Sequence, residues 1–212
     1  MLELEALTTL IKNANMKNHL SSLEPDCLYH IYNRGINSGK IFFSEKNYYY
    51  FLKLLLEKVS CVSELKSYCL LPNHFHILVK IKSEDEIRVH FSQKEKISTE
   101  KIISQQFSNT FNSYSQAINK HFGRTGKLFE LPFRRKHVIT ENQLINSILY
   151  INCNPYKHKI KDNPKDYPFS SLNEILADDN RIINTKEILE LFSGTENFKL
   201  TLSEYMQSVV RA

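Results

Sequence analysis

The sequence predicts an α+β fold in which a four-stranded antiparallel sheet carries helices on one face. Two observations lead to this class. Short segments with alternating apolar residues, rich in aromatic and β-branched side chains, are interspersed with longer segments of helical periodicity. Their order along the central part of the chain is strand, helix, strand, strand, helix, strand. This order is that of the split βαβ, or ferredoxin-like, arrangement.

The first half of the pattern begins with a strand over residues 28–33, where the alternation is clear. Ser44 is a suitable N-cap for a helix over residues 45–58. Two strands follow, over residues 64–70 and 74–82, and a short turn joins them as in a hairpin.

The second half begins with a highly charged segment, residues 83–100, which we expect to form a loop or a short helix. Apolar residues then recur at helical spacing over residues 100–121. A fourth strand over residues 134–140 and a helix over residues 141–152 complete the pattern. We expect this helix to stop before Pro155, because proline lacks the N–H that a helix interior needs.

These elements divide the chain into three parts. We expect a helical N-terminal extension over residues 1–25, a core domain over residues 26–160 and a helical C-terminal tail over residues 161–212. With 212 residues the chain is long enough to bury a core without disulfides.

Composition narrows the cellular setting. No apolar run approaches the roughly 20 residues that cross a bilayer, and the acidic start lacks the features of a secretory signal. Four scattered cysteines indicate neither a zinc knuckle nor a disulfide framework, so we expect a cytoplasmic protein with reduced thiols. The net charge of +5 is mild. Its cations cluster mid-chain among aromatic residues, which suits single-stranded nucleic acid but also an ordinary solvated surface.

Two histidines, His74 and His76, stand one residue apart in the third predicted strand. Alternate residues of a strand share a face, so both imidazoles are expected to project together while Phe75 turns into the core. Two adjacent imidazoles on a rigid strand are half of a divalent metal site. The alternative is a pair of partly buried histidines with local hydrogen bonds.

A tyrosine on the following helix, Tyr114, adds a possible nucleophile to the histidine pair. This combination resembles the single-tyrosine HUH transposases, above all the REP-associated tyrosine transposases and their insertion-sequence relatives. The resemblance extends over about residues 27–178. Further stretches that carry it are residues 29–35, 41–43, 71–78, 119–130, 133–136, 150–155 and 166–171.

The resemblance implies a metal-dependent nuclease and strand transferase that acts on single-stranded DNA, with hairpin-forming or repeat-associated DNA as substrate. Mg²⁺ or Mn²⁺ held by His74 and His76 would polarise the scissile phosphate. Tyr114 would attack phosphorus and form a covalent 5′-phosphotyrosine, which a different 3′-hydroxyl can reverse. The alternative for Tyr114 is a core aromatic on an amphipathic helix.

A hard divalent ion needs an oxygen ligand besides two imidazoles. In related enzymes a polar residue about one turn after the tyrosine serves, but Ile118 occupies that position here. We therefore expect Asn119 as the third ligand, with Gln116 as a weaker candidate. The candidate phosphate contacts are the cations Arg34, Arg124, Lys127, Arg134, Arg135 and Lys136.

The sequence leaves two other functions open. One is a replication-initiator or relaxase-like nicking enzyme with the same site, and the other is a non-catalytic nucleic-acid-binding module. It also leaves open whether the protein is a monomer or a homodimer, in which Tyr114 would serve its own histidines or those of its partner.

Overall fold

A four-stranded antiparallel sheet forms the centre of the computed structural model, which describes residues 22–94 and 96–210. Its strands are β1 (Leu28–Arg34), β2 (Ser63–Leu71), β3 (His74–Ile81) and β4 (Arg134–Val138). Their order across the sheet is β2-β3-β1-β4, so β1 pairs antiparallel with both β3 and β4. This is the order of a split βαβ sheet, and the predicted fold class is confirmed.

Helices account for much of the rest of the described chain. They are α1 (Glu45–Val59), α2 (Glu84–His90), α3 (Thr99–His121), α4 (Glu141–Lys157), α5 (Leu172–Ala177), α6 (Thr185–Leu191) and α7 (Thr195–Val210). Ser44 is the N-cap of α1, as predicted, and the charged segment after β3 forms the short helix α2. Within residues 22–94 and 96–210, no helix is long and apolar enough to cross a membrane.

The predicted N-terminal extension lies outside the described residues as far as residue 21. The division of the chain at residues 25 and 160 stays a prediction.

One face of the sheet, called the inner face below, packs against α1 and α3. The Phe51 ring of α1 lies 4.9 Å from the Phe75 ring of β3, and the Phe111 ring of α3 lies 5.1 Å from the same ring, measured between centroids. All three side chains are buried. Burial of large aromatic surfaces supplies much of the stability of a core, so the inner face is the main core of the molecule.

The opposite face of the sheet, called the outer face, carries the residues that alternate with this core. In β1 and β3 the pairing sets Tyr32 opposite His76 and Arg34 opposite His74. Directly opposed residues of an antiparallel pair point to the same side, so these four side chains share the outer face. Helix α4 covers part of this face, where Asn152 contacts β2.

Helix α4 runs through Pro155 to Lys157, past its predicted end at residue 152. Pro155 cannot donate a hydrogen bond to the carbonyl of Ile151. The side-chain Nδ2 of Asn154 compensates, because it donates to the carbonyl oxygen of Tyr150 at 2.8 Å and to that of Ile151 at 3.4 Å. A local side-chain donor thus allows one further turn of helix beyond the predicted end.

Polar contacts attach the C-terminal tail to the edge strand β2. The Tyr68 hydroxyl donates to Oε1 of the buried Glu174 at 2.7 Å, and Oγ of Ser171 accepts from the backbone N–H of Tyr68 at 3.1 Å. Nζ of Lys66 lies 2.5 Å from Oε2 of Glu187 in α6. Buried partners of this kind fix the position of α5 and α6 against the sheet.

Candidate functional site

The two histidines of β3 project together from the outer face, as the sequence predicts, with ring centroids 5.3 Å apart. Nδ1 of His76 lies 2.9 Å from Nε2 of His30, and Nδ1 of His74 lies 2.7 Å from Oδ1 of Asn73. Both rings are therefore held through Nδ1, which leaves Nε2 of each for a ligand. Metal-binding histidines are typically held by a second group in this way.

Burial keeps both imidazoles neutral. It lowers the pKa of His74 to about 4, and the nearby His158 and Arg34 add to the effect. The pKa of His76 lies well below its usual value, first because the ring is buried and then because His30 and His74 are close to it. A neutral imidazole is the form that binds a metal ion.

One face of α4 lies against the histidine pair. The Tyr150 ring packs against the His76 ring with centroids 5.4 Å apart, and the His158 ring, at the end of the helix, packs against the His74 ring at 4.7 Å. Asn154 lies one turn from each, so the three side chains share a face of the helix. Burial raises the pKa of the Tyr150 hydroxyl. Helix α4 thus brings a phenol, an amide and an imidazole to the two strand histidines.

The amide of Asn154 has an unused acceptor. Its Nδ2 is engaged with carbonyl groups of α4, whereas its Oδ1 is buried without a hydrogen-bond partner among the described residues. Leaving a buried polar atom unpaired costs about 1–3 kcal/mol. Oδ1 of Asn119 is also buried without a partner, so it is the position of Asn154 between Tyr150 and His158 on α4 that makes it the candidate ligand.

These groups fit a divalent cation. The described part of the chain holds no cluster of three His, Cys, Asp or Glu side chains suited to a metal ion, so the histidine pair needs a ligand of another kind. Mg²⁺ and Mn²⁺ prefer oxygen ligands, and Asn154 carries an unpaired oxygen midway along the helix between Tyr150 and His158, the residues that contact the two histidines. The candidate donor set is therefore two imidazole nitrogens and one amide oxygen.

Tyr114, the predicted nucleophile, lies on the inner face, across the sheet from the histidines. Its side chain is 0% exposed, and its hydroxyl donates to the carbonyl oxygen of Ile41 at 2.8 Å. Its ring contacts Phe51 at 5.0 Å, and burial raises the pKa of its hydroxyl. The structure therefore does not bring Tyr114 to the histidine pair, and it occupies the position of a core aromatic.

Asn119, the predicted third ligand, is also away from the histidines. It lies near the end of α3, where its Nδ2 donates to the carbonyl oxygen of Gly126 at 2.8 Å. It lines a cavity together with Phe111 and Phe129, which belong to the core of the inner face. Because α3 packs on the inner face, Asn119 is separated from His74 and His76 by the sheet.

A cavity of about 590 Å³, called the histidine cavity below, opens beside His74 and His76. Two of the predicted phosphate contacts, Arg34 and Arg134, line it. Both lie close to Glu130, with nitrogen–oxygen distances of 3.0 and 3.9 Å. Both guanidinium side chains are about half exposed, so they can exchange this carboxylate for a phosphate.

The other predicted phosphate contacts divide between the two faces. Lys136 lines a neighbouring cavity on the outer face. Arg124 lies over the Phe43 ring at 5.5 Å, Arg135 lies over the Phe133 ring at 5.1 Å, and Lys127 lines the cavity that contains Asn119. Arg34, Arg134 and Lys136 are therefore the cations that the structure brings to the histidine face.

The candidate site contains three residues that were not predicted from the sequence, namely His30, Tyr150 and Asn154. Two signals were available. Tyr150, Asn154 and His158 are spaced by four residues, which places them on one helix face, and His30 alternates with Tyr32 in β1. The first signal was missed because the helix was expected to end before Pro155, which left Asn154 and His158 outside it.

The fold and the site together define a class of protein: a ferredoxin-like sheet whose outer face carries a histidine pair opposite a tyrosine-bearing helix. This fold is that of a solved REP-associated tyrosine transposase bound to a REP hairpin. That structure matches the chain with a TM-score of 0.56 and 14% sequence identity, over 74% of this chain and 82% of the transposase chain. The predicted resemblance is thus confirmed at the level of fold.

Two structures of a bacterial tRNA(His) guanylyltransferase (Thg1)-like protein are more distant. The complex with GTP has a TM-score of 0.43 and 11% identity over 73% of each chain. The complex with ATP has a TM-score of 0.43 and 12% identity over 76% of this chain and 75% of the other. No protein-family model and no curated protein matches the sequence.

Proposed function

We propose that this chain is a metal-dependent single-stranded DNA endonuclease and strand transferase in which Tyr150 is the nucleophile. The observation that carries the proposal is the contact between the Tyr150 and His76 rings, 5.4 Å apart, within one chain. The shared fold supports it, because the matching transposase was solved with a DNA hairpin. Hairpin-forming or repeat-associated DNA is therefore the proposed substrate class.

The proposed cation site consists of His74, His76 and Asn154. Mg²⁺ or Mn²⁺ bound there would supply positive charge that offsets the charge developing on the scissile phosphate. The proposed site is preorganised. His30 contacts Nδ1 of His76, Asn73 contacts Nδ1 of His74, and burial keeps both rings neutral. Ordering these groups before DNA binds reduces the reorganisation needed at the reacting phosphate.

In the proposed reaction the Tyr150 hydroxyl oxygen attacks phosphorus. An oxygen–phosphorus bond forms to Tyr150 and the bond from phosphorus to the 3′-oxygen breaks. The phenol loses its proton and the leaving 3′-oxygen gains one, so the products are a 5′-phosphotyrosine and a free 3′-hydroxyl. Attack by a different 3′-hydroxyl reverses the step and joins two strands without hydrolysis.

Phosphates on either side of the cut would be bound by Arg34, Arg134 and Lys136. These three side chains line the cavities on the two sides of His76. A replication-initiator or relaxase-like nicking enzyme would use the same residues. It would differ from a transposase in whether the cut end is then joined to a different DNA strand. A non-catalytic nucleic-acid-binding module would keep the cations but form no covalent product.

The test is a comparison of two tyrosine variants. Wild-type protein is incubated with single-stranded hairpin DNA and Mn²⁺, and the covalent adduct is measured on a denaturing gel. We expect Tyr150→Phe to abolish the adduct, because the nucleophilic oxygen is removed. We expect Tyr114→Phe to retain it and to lower the free energy of unfolding by about 1 kcal/mol, because the Ile41 carbonyl loses its donor.

The reverse result, an adduct with Tyr150→Phe and none with Tyr114→Phe, would overturn the assignment in favour of the nucleophile expected from sequence. Hairpin binding without an adduct in the wild-type protein, with Mg²⁺ or Mn²⁺ present, would favour the binding module. His121→Ala is a suitable control, since His121 is exposed at the end of α3.

A further inference from the structure

A second cavity, called the outer cavity below, adjoins the histidine cavity on the same face of the sheet. Its volume is about 610 Å³. His76 and Tyr32 line both cavities, and Tyr150 lines only the outer one. Ligand sites of this size take small molecules or single residues of a polymer. A phosphate held beside His76 would therefore have one neighbouring nucleotide at the mouth of each cavity.

Three tyrosines line the outer cavity, and they differ in what their rings already contact. The Tyr32 ring stacks on His76 at 5.6 Å, and the Tyr150 ring packs edge-on against His76. Tyr205 has no ring contact with another aromatic side chain in residues 22–94 and 96–210. Tyr205 is only partly buried and lines the outer cavity, so part of its side chain is exposed to that cavity.

Tyr205 comes from α7, in the C-terminal tail. Its hydroxyl has a raised pKa, because it is partly buried and because Cys153 and Tyr150 of α4 are near. Helix α7 thus packs beside α4 at the site, and the tail supplies part of the wall of the outer cavity.

Two exposed amides at the start of α4 line the same cavity, and each has one free end. Oε1 of Gln143 accepts from the backbone N–H of Ile139 at 2.8 Å, which leaves its Nε2 as a donor. Nδ2 of Asn146 donates to the carbonyl oxygen of Asn142 at 2.8 Å, which leaves its Oδ1 as an acceptor. A donor beside an acceptor complements the hydrogen-bonding edge of a nucleobase.

From these observations we propose that the outer cavity binds one unpaired nucleotide next to the scissile phosphate, with its base stacked on Tyr205. Gln143 and Asn146 contact the edge of that base, and Lys136 contacts its phosphate. This proposal rests on the proposed function, because it takes the strand to pass His76. The base would leave the strand stack to enter the cavity, which only single-stranded DNA permits at low cost.

The first experiment reads the base directly and needs no metal. The fluorescent base analogue 2-aminopurine is placed at one position at a time in the single-stranded DNA flanking a hairpin, and each oligonucleotide is titrated with full-length protein. We expect a change in fluorescence on binding at one position, caused by stacking on Tyr205. Tyr205→Ala should remove this change, and Tyr205→Phe, which keeps the ring, should preserve it.

The second experiment measures coupling between Tyr205 and that base. An abasic nucleotide at the identified position should weaken binding to wild-type protein about 5- to 150-fold, the range for loss of one base–aromatic stack. Tyr205→Ala should weaken binding of the intact strand similarly. The two changes together should cost little more than either alone. Gln207→Ala, at an exposed position on the same helix, should behave as wild type.

Three outcomes would overturn the inference: no position that responds to Tyr205→Ala, abasic and Tyr205→Ala penalties that multiply, or a full effect with free deoxynucleotide. The last outcome would mean a site for a soluble nucleotide rather than for one within a strand. Because fluorescence and affinity are read without Mn²⁺, they remain informative where no adduct forms. An adduct without a Tyr205-dependent base signal would leave the proposed function standing and contradict this inference alone.

Discussion

At the scale of single residues, the contact between His30 and His76 determines which nitrogen of His76 is available. Nε2 of His30 lies 2.9 Å from Nδ1 of His76, and both rings are at least nine-tenths buried. A hydrogen bond at Nδ1 fixes the ring orientation and directs Nε2 towards a ligand. We therefore propose His30 as a positioning residue that acts through His76.

We expect His30→Ala to weaken binding of Mn²⁺ to the DNA-free protein by about 10- to 100-fold, the usual effect of removing such a partner. Isothermal titration with Mn²⁺ measures this without reference to cleavage. His30→Gln, whose amide reaches a position similar to Nε2, should restore part of the affinity, and His121→Ala should leave it unchanged. Equal Mn²⁺ affinity in His30→Ala and wild type would show that His30 does not act on the site.

The cations of the outer face give a second prediction at this scale. Each phosphate contact on a single strand contributes about 0.7 to the slope of log K against log salt. We expect Arg134→Ala and Lys136→Ala each to weaken DNA binding and to lower that slope by about 0.7. Lys127→Ala is the matched control, because Lys127 lines a cavity on the other side of the sheet. If only Lys127→Ala lowered the slope, the DNA would have to bind on the side of the sheet away from the histidines.

At the scale of elements, the periodicity of apolar residues was sufficient to predict the sheet and the two helices that pack on its inner face. The alternation in β1 and β3 fixes which residues face the core, so the projection of His74 and His76 from one face was predictable. The position of Tyr114 was not, because an amphipathic helix offers the same pattern whether its tyrosine lies in a core or at a site. Only the packing of α3 on the inner face decides between them.

Helix α4 shows why the rest of the site escaped prediction. The rule that proline ends a helix is sound for an isolated helix. It fails here because Nδ2 of Asn154 donates to carbonyl groups of the preceding turn, next to Pro155. With the helix expected to end at residue 152, Asn154 and His158 were not recognised as sharing a helix face with Tyr150. A side-chain hydrogen bond that depends on the folded environment was thus the missing information.

The attachment of the tail is the element with the clearest stability prediction. Glu174 in α5 is 4% exposed, and its carboxylate accepts from the Tyr68 hydroxyl at 2.7 Å and from the backbone N–H of Ile182 at 3.0 Å. Glu174→Ala leaves the Tyr68 hydroxyl and the backbone N–H groups of Ile182 and Ile183 without their acceptor, so we expect the free energy of unfolding to fall by about 2–3 kcal/mol. Urea denaturation measures it. Glu190→Ala, at an exposed position of α6, should change it by less than about 0.5 kcal/mol.

At the scale of the whole molecule, the sheet separates the aromatic core from the candidate site. The inner face holds the aromatic core with Tyr114, and the outer face holds the histidines, α4 and the two cavities. The tail contributes to both: α5 and α6 pack on β2, and α7 lines the outer cavity. Removing the tail would therefore be expected to affect DNA binding as well as folding.

Buried tyrosines give the molecule a predictable response to alkaline pH. Burial raises the pKa of the Tyr68, Tyr114 and Tyr167 hydroxyls above the usual value of about 10. Above about pH 10 the unfolded chain releases these protons while the folded chain keeps them, so the unfolded state binds fewer protons and stability falls as pH rises. Each tyrosine contributes a slope of up to about 1.4 kcal/mol per pH unit.

We therefore expect the free energy of unfolding, measured with urea between about pH 9 and 11, to fall steeply above about pH 10. Tyr114→Phe removes one of the three groups and should reduce the slope above pH 10 by up to about 1.4 kcal/mol per unit, although the variant is less stable near neutral pH. Tyr49→Phe, at a ring that is 59% exposed, is the control and should keep the wild-type slope. Identical slopes for Tyr114→Phe and wild type would mean that the Tyr114 hydroxyl reaches solvent in the folded protein. That result would reopen the possibility that Tyr114, rather than Tyr150, meets the DNA.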